Sequence, residues 1–272
     1  MGSQTRIPPG PSTRVSALRP GDPRRVGGYR LTGRKKWITC GRIASAFLVF
    51  ARSPRGHAAF VVERDRPGLT VEPVRGLLGT RAAMTADLRF DGCVVPEEAM
   101  VGRPGFGLSA VAAGALEWGR YSVAWGCAGL SRACLDASAR YAVRRRQFGK
   151  PIGEHQLVQR LIADIAVEAR AARLLCLDAG RLIGTGDPRA VEATWTAKYF
   201  AAGAAFRAAA AAVQIHGANG CGDGHPAARY LRDAKVMEII EGTAQIQQTF
   251  IADSTLNQYR VGAADTREAA DE

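Results

Sequence analysis

The sequence has few of the signals that mark membrane, secreted or metal-binding proteins. No stretch approaches the roughly 20 consecutive apolar residues that cross a bilayer, and residues 1–14 contain no apolar run of the kind found in secretory signals. The six cysteines form no CxxC pair and no histidine cluster accompanies them, so neither a metal site nor a redox pair is expected. We therefore expect a cytoplasmic protein with no membrane span and no metal.

The sequence also lacks the signatures of two further classes of protein. No GxGxxG motif follows a predicted strand, so the pattern gives no Rossmann domain. The net charge of +12 favours anionic partners. However, the densest basic clusters are only Arg34–Lys36 and Arg144–Arg146, without interleaved aromatic residues, so nucleic acid is not expected. Phosphate-bearing cofactors, coenzyme A thioesters and acidic carrier proteins remain as partners.

The first part of the chain reads as β structure. With 47% hydrophobic and 23% charged residues, the 272-residue chain is typical of a globular protein with one large or two modest domains. Residues 1–27 are rich in Pro, Gly and Arg and predict an extended arm or a partial first strand. Residues 28–103 contain short apolar runs separated by turn signals, which predicts a small β-barrel or sandwich.

The second part has helical periodicity. Residues 104–256 contain long apolar-periodic stretches joined by short Gly- and Pro-containing loops, which predicts an antiparallel four-helix bundle. Residues 257–272 are polar and predict a flexible tail. A β-domain followed by a helical bundle gives the α+β fold class.

Glu241, between two predicted helices, is the candidate for acid–base chemistry. A carboxylate near a helix start is also expected for structural reasons, because the helix dipole favours it. The functional alternative depends on its apolar neighbours Ile239, Ile240 and Ile246. Burial among them would raise the pKa of the carboxyl group towards that of a general base.

Three other segments allow both a structural and a functional interpretation. Residues 144–149 (RRRQFG) read as a basic helix end, or as a clamp for a diphosphate. Residues 214–220 (QIHGANG) read as a glycine-terminated helix, or as backbone that a cofactor approaches closely. Trp37–Thr39 reads as an ordinary strand, or as the wall of a flavin site with Thr39 donating a hydrogen bond.

The order of the segments is more specific than any one of them. In sequence they are LTGRKKWIT, DLRFDGCVVP, YAVRRRQFGKPIGEHQ, VQIHGANG and RDAKVMEIIEGTAQIQ. This series resembles the acyl-CoA dehydrogenase family, and the resemblance extends over about residues 12–251. It implies an FAD flavoprotein that oxidises an acyl thioester, either acyl-CoA or an acyl carrier protein, to its trans-2-enoyl form.

The resemblance also implies roles for individual residues. Glu241 would remove the α-proton while its backbone N–H polarises the thioester carbonyl. Trp37 would lie against the isoalloxazine ring, Thr39 near flavin N5, and Arg145 on the FAD diphosphate. The remaining expected FAD contacts are Gln147, Phe148, Gln156, Gln214, Gly217, Ala218, Thr243 and Gln245. The expected acyl-CoA contacts are Ser12, Glu117, Arg120 and Gly242.

Partners follow from the same resemblance. FAD in this family bridges subunits, which implies a homo- or hetero-oligomer, with an electron-transferring flavoprotein or oxygen as electron acceptor. The family's N-terminal helical domain of about 120 residues, large enough to be a domain of its own, is missing from the sequence. A separate chain could supply it, unlike subunits could share the FAD sites, or the chain could be an inactive truncated remnant. The alternative to an enzyme is a non-catalytic FAD-binding scaffold subunit.

Overall fold

The computed structural model of the protein describes residues 14–17, 27–53 and 55–268. These residues divide into two compact units. The first, here called the β unit, comprises the described residues up to Leu77 together with residues 81–115. The second, the helical unit, comprises residues 78–80 and those from Leu116 onwards. The domain boundaries expected near residues 27, 103 and 256 stay a prediction.

The β unit contains a single seven-stranded sheet among its described residues. The strands are β1 (Arg14–Ala17), β2 (Gly28–Ile38), β3 (Ala46–Ser53), β4 (Gly56–Glu63), β5 (Leu69–Pro73), β6 (Ala86–Pro96) and β7 (Met100–Gly105). Their order is β5-β6-β2-β1-β3-β4-β7, which has two free ends. The predicted α+β class is therefore confirmed, but a closed barrel is excluded for the described strands.

The core of the β unit follows from apolar residues that share one face of the sheet. The hairpin of β3 and β4 pairs in antiparallel register from Ala46 opposite Glu63 to Ser53 opposite Gly56. Phe60 on β4 is fully buried, as are Leu31 on β2 and Leu88 on β6. Alternation of buried and exposed residues along a strand fixes the register, since a shift of one residue would expose this set.

Two glycine-containing segments read as breaks in the sequence but lie within continuous strands. The turn signal at Thr32–Gly33 lies inside β2, where the pairing shifts between Leu31 and Gly33. Gly33 has φ of +142° and Gly92, inside β6, has φ of +62°. Glycine absorbs such irregularities because it has no Cβ. Sequence alone does not distinguish a bulge from a turn.

The helical unit is built around an alanine-rich central helix. Its helices are α1 (Ala113–Arg144), α2 (Gln156–Thr185), α3 (Ala190–His216), α4 (Ala227–Met237) and α5 (Ala244–Glu268). Helix α3 packs against α2, α4 and α5. Its alanines are buried on most of its circumference, as expected for a helix enclosed by others. None of the described helices has the length and apolar character needed to cross a membrane.

The ends of the helices depend on residues in the left-handed conformation. A two-residue hairpin, β8 (Arg146–Gln147) and β9 (Lys150–Pro151), joins α1 to α2. Its turn residues Phe148 and Gly149 have φ of +53° and +79°, as a type I′ turn requires. Helix α5 continues past the predicted end near Leu256, because residues 257–268 contain no proline that would stop it.

Replacing Phe60 by Ala tests the assigned sheet face. Phe60 is fully buried and its ring lies 5.1 Å from that of Tyr29, whereas the adjacent Val61 is about half exposed. Phe60→Ala should lower the free energy of unfolding by about 3–5 kcal/mol, and Val61→Ala by less than about 1 kcal/mol. Denaturant titration of the full chain followed by circular dichroism measures both. Equal losses in the two variants would contradict the assigned register.

Candidate active site

The candidate base Glu241 lies in a tight turn that precedes α5. Glu241 and Gly242 both have left-handed backbone conformations, with φ of +54° and +93°. For a residue with a side chain this conformation costs about 1–2 kcal/mol. The turn ends where the Thr243 hydroxyl accepts a hydrogen bond from the Ile246 N–H (3.5 Å) and so caps α5. Surrounding contacts must therefore hold Glu241 in place.

Three buried side chains provide those contacts and form what we call the carbonyl clamp. Arg120 Nε on α1 donates to the Glu241 carbonyl oxygen at 3.2 Å. Lys198 Nζ on α3 donates to the Gly242 carbonyl oxygen at 2.9 Å, and Gln247 Nε2 on α5 donates to the same oxygen at 3.0 Å. Two consecutive carbonyl groups are thus held from three helices. The clamp fixes the peptide planes on both sides of Gly242.

The Glu241 carboxyl group lies directly against Gly119 on α1. A Cβ atom at Gly119 would clash with Glu241 Oε2 and would lie 2.7 Å from its Cδ. Cβ atoms essentially never approach a carboxyl group so closely, so any side chain at this position would displace Glu241. Only glycine leaves room for the carboxyl group where it lies.

The electrostatics of Glu241 combine burial with two cations. Burial raises the pKa of the carboxyl group, while Arg120 and Lys198 lower it. The expected apolar neighbours contribute less than predicted, because Ile239 and Ile246 are 54% and 43% exposed. The raised pKa agrees in direction with the prediction. The surroundings of the carboxyl group also contain the positive charges of Arg120 and Lys198, which the sequence did not indicate.

Arg120 is itself held by an aromatic stack. Its guanidinium carbon lies 4.0 Å from the ring centroid of Trp195, and Trp195 stacks on Phe250 with centroids 4.1 Å apart. Such cation–π contact orients a guanidinium group that is removed from water. Glu117, one turn earlier on α1, also interacts electrostatically with Arg120. These contacts orient Arg120 towards the Glu241 carbonyl oxygen. The substrate contacts expected for Arg120 and Glu117 stay predictions.

A second group of predicted residues lines an open groove of about 620 Å³ in the helical unit. Four of the residues expected to bind FAD lie in its wall: Gln147, Phe148, Gln156 and Gln214. His155, Leu157 and Leu161 contribute to the same wall. Phe148 is 93% exposed in its left-handed conformation. A strained and exposed aromatic residue is typical of a binding site rather than of a core.

The chemistry of this groove fits the nucleotide half of FAD. Glutamine side chains offer both donors and acceptors, and the aliphatic wall suits a flat base. Arg145, exposed one residue beyond the end of α1, suits a diphosphate. Gly217 ends α3 with φ of +58°, and a Cβ there would meet open space. The exposed Ala218 follows it in a short 3₁₀ segment.

The remaining predicted residues lie in three places. Trp37, on the β unit, is 61% exposed with φ of +60°. Its backbone N–H donates to Asp87 Oδ1 at 3.0 Å. Thr39 is exposed two residues later. Gln245 is exposed in the first turn of α5, two residues after Thr243. Ser12 lies outside the described residues. No three described His, Cys, Asp or Glu side chains converge in a way that could hold a metal ion.

Sequence reasoning missed three residues of the clamp region. Lys198 had a signal, since it is a lone lysine within the alanine-rich apolar stretch of α3. Gln247 and Gly119 had none, because nothing in their local sequence indicates that Glu241 is their neighbour. Their roles depend on tertiary contacts alone.

Comparison with known proteins connects this geometry to one family. The model "Acyl-CoA dehydrogenase, middle domain" matches residues 11–93, and "Acyl-CoA dehydrogenase, C-terminal domain" matches residues 105–256. The mitochondrial short-chain specific acyl-CoA dehydrogenase of Rattus norvegicus is 40% identical over 235 residues, which are 85% of this chain and 57% of that protein. The chain therefore spans less than two thirds of the length of this relative.

Solved structures agree with the sequence matches. Glutaryl-CoA dehydrogenase from Mycobacterium smegmatis aligns with a TM-score of 0.82 at 33% identity, covering 90% of this chain and 60% of that one. The prolyl acyl carrier protein oxidase AnaB aligns with a TM-score of 0.82 at 28% identity, covering 90% of this chain and 64% of that one. The resemblance and the fold class predicted from the sequence are thereby confirmed.

Introducing a methyl group at Gly119 tests the contact with Glu241. Gly119→Ala should displace the Glu241 carboxyl group and lower the free energy of unfolding by about 1 kcal/mol. This is the low end of the cost of overpacking, because the displaced group is the end of a flexible side chain. Gly126→Ala on the same helix is the matched control, because its Cβ would meet nothing within 4 Å. That variant should be neutral or stabilised by up to about 1 kcal/mol.

A second substitution identifies the partner in this contact. Glu241→Gly keeps a residue that tolerates the left-handed turn and removes the carboxyl group. In that background Gly119→Ala should no longer destabilise the protein, as measured by chemical denaturation of all four combinations. A cost that persists without Glu241 would show that the methyl group meets something else.

Proposed function

Because the chain belongs to the acyl-CoA dehydrogenase family, we propose that it catalyses the FAD-dependent α,β-dehydrogenation of an acyl thioester. The observation that supports this most directly is the position of Glu241: the carbonyl clamp holds its backbone in a left-handed turn, and its carboxyl group lies against Gly119. A scaffold subunit has no need of a glutamate held in this way. We therefore favour the enzyme over the scaffold.

Glu241 acts in this proposal as the base that removes the α-proton. Burial raises the pKa of its carboxyl group and so makes its carboxylate a stronger base. The positive charges of Arg120 and Lys198 favour the carboxylate form and so limit this rise.

The turn also makes the α-proton of the substrate more acidic in this proposal. We propose that the Glu241 N–H donates to the thioester carbonyl oxygen, where negative charge develops as the α-proton leaves. The electron pair of the broken α C–H bond forms the new double bond, and a hydride leaves the β-carbon. When FAD is bound, it supplies the oxidising equivalent that accepts this hydride.

We propose that the residues expected from the sequence hold FAD. The groove wall would take the nucleotide half, with Arg145 at the diphosphate and Gly217 and Ala218 giving close backbone approach. The exposed Trp37 and Thr39 would contact the flavin ring system. Thr243 and Gln245, at the start of α5, would complete the set. Support comes from the exposure and left-handed backbone of Trp37 and Phe148.

Substrate and partners are proposed at the level of chemical class. The substrate is an acyl-CoA or an acyl group on a carrier protein, and the net charge of +12 favours such anionic molecules. Phe148 and Leu157 expose apolar surface beside the groove, which supports a homo- or hetero-oligomer that covers it. Electrons would pass to an electron-transferring flavoprotein or to oxygen, and we place the protein in the cytoplasm.

Glu241→Gln tests the proposed base. With FAD supplied and with butanoyl-CoA, glutaryl-CoA and an acyl carrier protein thioester as substrates, kcat should fall about 10²–10⁴-fold. Glu168→Gln is the control, because Glu168 forms an ion pair with Arg207 on the surface of α2 and α3. Its turnover should match that of the wild type. Equal turnover by all three proteins would overturn the base assignment and favour the scaffold.

The pH dependence of turnover is a separate test. Since the pKa of Glu241 is raised above the ordinary glutamate value of about 4.3, kcat/KM should fall as pH decreases through that raised pKa. Protonation of the carboxyl group removes the base, so activity is lost on the acid side. Residual activity of Glu241→Gln should lack this acid limb. An acid limb that is unchanged in the variant would assign it to another group.

A further inference from the structure

Lys198 is an unusual residue for its position. It is fully buried in α3, with Ala197, Ala201 and Ala202 around it. Lysine is almost never fully buried unless it is paired, because removing an ammonium group from water is costly. A residue of the same length without charge would pack equally well among alanines. The ammonium group must therefore serve something other than core packing.

The hydrogen bond to Gly242 does not by itself explain the lysine. The Gly242 carbonyl oxygen already accepts a hydrogen bond from Gln247 Nε2 at 3.0 Å. Lys198 Nζ, on α3, is a second donor to the same oxygen at 2.9 Å. One donor would satisfy the hydrogen-bonding capacity of a buried carbonyl group. The second donor therefore serves to orient the carbonyl group and to bring a positive charge close to the turn.

We propose that Lys198 is a positioning residue for Glu241: the buried Lys198 ammonium group fixes the left-handed Glu241–Gly242 turn and supplies positive charge to the surroundings of the Glu241 carboxyl group. This inference rests on the proposed function, in which Glu241 is the base. Lys198 touches the backbone of the turn rather than any reacting atom, so it acts through Glu241.

The charged surroundings support the electrostatic part of this role. Lys198 lowers the pKa of Glu241, and Arg120 does so as well. Burial lowers the pKa of Lys198 to about 8, so its ammonium form still predominates at neutral pH. Glu238 also favours the charged form of Lys198, whereas the positive charge of Arg120 opposes it. Removal of the ammonium group should therefore raise the pKa of Glu241.

A titration that needs neither turnover nor bound FAD tests this directly. In the full chain labelled with ¹³C at the glutamate carboxyl groups, the Glu241 signal is identified by its loss in Glu241→Gln. In Lys198→Met the Glu241 carboxyl group should titrate at higher pH than in the wild type. Lys198→Gln, which keeps a donor without the charge, should shift in the same direction and serves if the Met variant does not fold.

Two further variants separate positioning from general stability. Lys198→Arg keeps the charge and should leave Glu241 titrating close to the wild-type pH. Thr194→Val removes the hydroxyl group of another fully buried α3 residue, which bonds only within its own helix to the Ala190 carbonyl oxygen. It should leave the Glu241 titration unchanged even if it lowers Tm. Titration of Glu241 at the wild-type pH in both Lys198→Met and Lys198→Gln would overturn the proposal.

Turnover gives a second, independent readout. In Lys198→Met, kcat should fall about 100-fold, as for a misplacement of about 1 Å, while KM changes much less. Lys198→Arg should recover most of the loss. If the wild type oxidises no thioester, the proposed function fails while the titration still decides the role of Lys198. If Glu241→Gln abolishes turnover but both Lys198 readouts match the wild type, the Lys198 proposal alone fails.

Discussion

The rest of the site depends on the hydrogen bonds that side chains donate to two consecutive carbonyl groups, those of Glu241 and Gly242. A left-handed glutamate does not persist by local preference, since its backbone conformation is unfavourable by about 1–2 kcal/mol. The groups that oppose this cost come from α1, α3 and α5. The proposed base is therefore in place only when these helices are packed, which couples the alanine-rich core of α3 to the chemistry proposed for Glu241.

Three of the candidate site residues other than glycine share an unfavourable, left-handed backbone conformation. Six described residues other than glycine have positive φ, and three of them are Trp37, Phe148 and Glu241. Each was selected from the sequence for a functional reason, and two of them expose a large aromatic side chain. Strained conformations persist where the surrounding structure holds them, which is common at binding and catalytic sites. The same property therefore links residues with different expected roles.

Local sequence predicted the elements well and their tertiary partners poorly. Periodicity reports which face of a helix is buried, so α1 to α4 were predictable, and the order of motifs predicted the family and the residues around the groove. Gly119 and Gln247 could not be found, because their function depends on contacts between segments far apart in the chain. Thr32–Gly33 in β2 reads as a turn in the sequence, because a bulge and a turn use the same residue. The prediction of a closed barrel was wrong for a related reason, because local sequence patterns do not determine the order of strands in a sheet.

The most direct test of this account isolates proton removal from oxidation. A 3-thia acyl-CoA, in which sulfur replaces the β-carbon, has no β-hydride to lose, so only exchange of its α-protons can occur. In deuterium oxide, nuclear magnetic resonance should show loss of the α-proton signal with the FAD-loaded wild type and none above background with Glu241→Gln. Equal exchange with both proteins would show that Glu241 is not the base and that the clamped turn has another purpose.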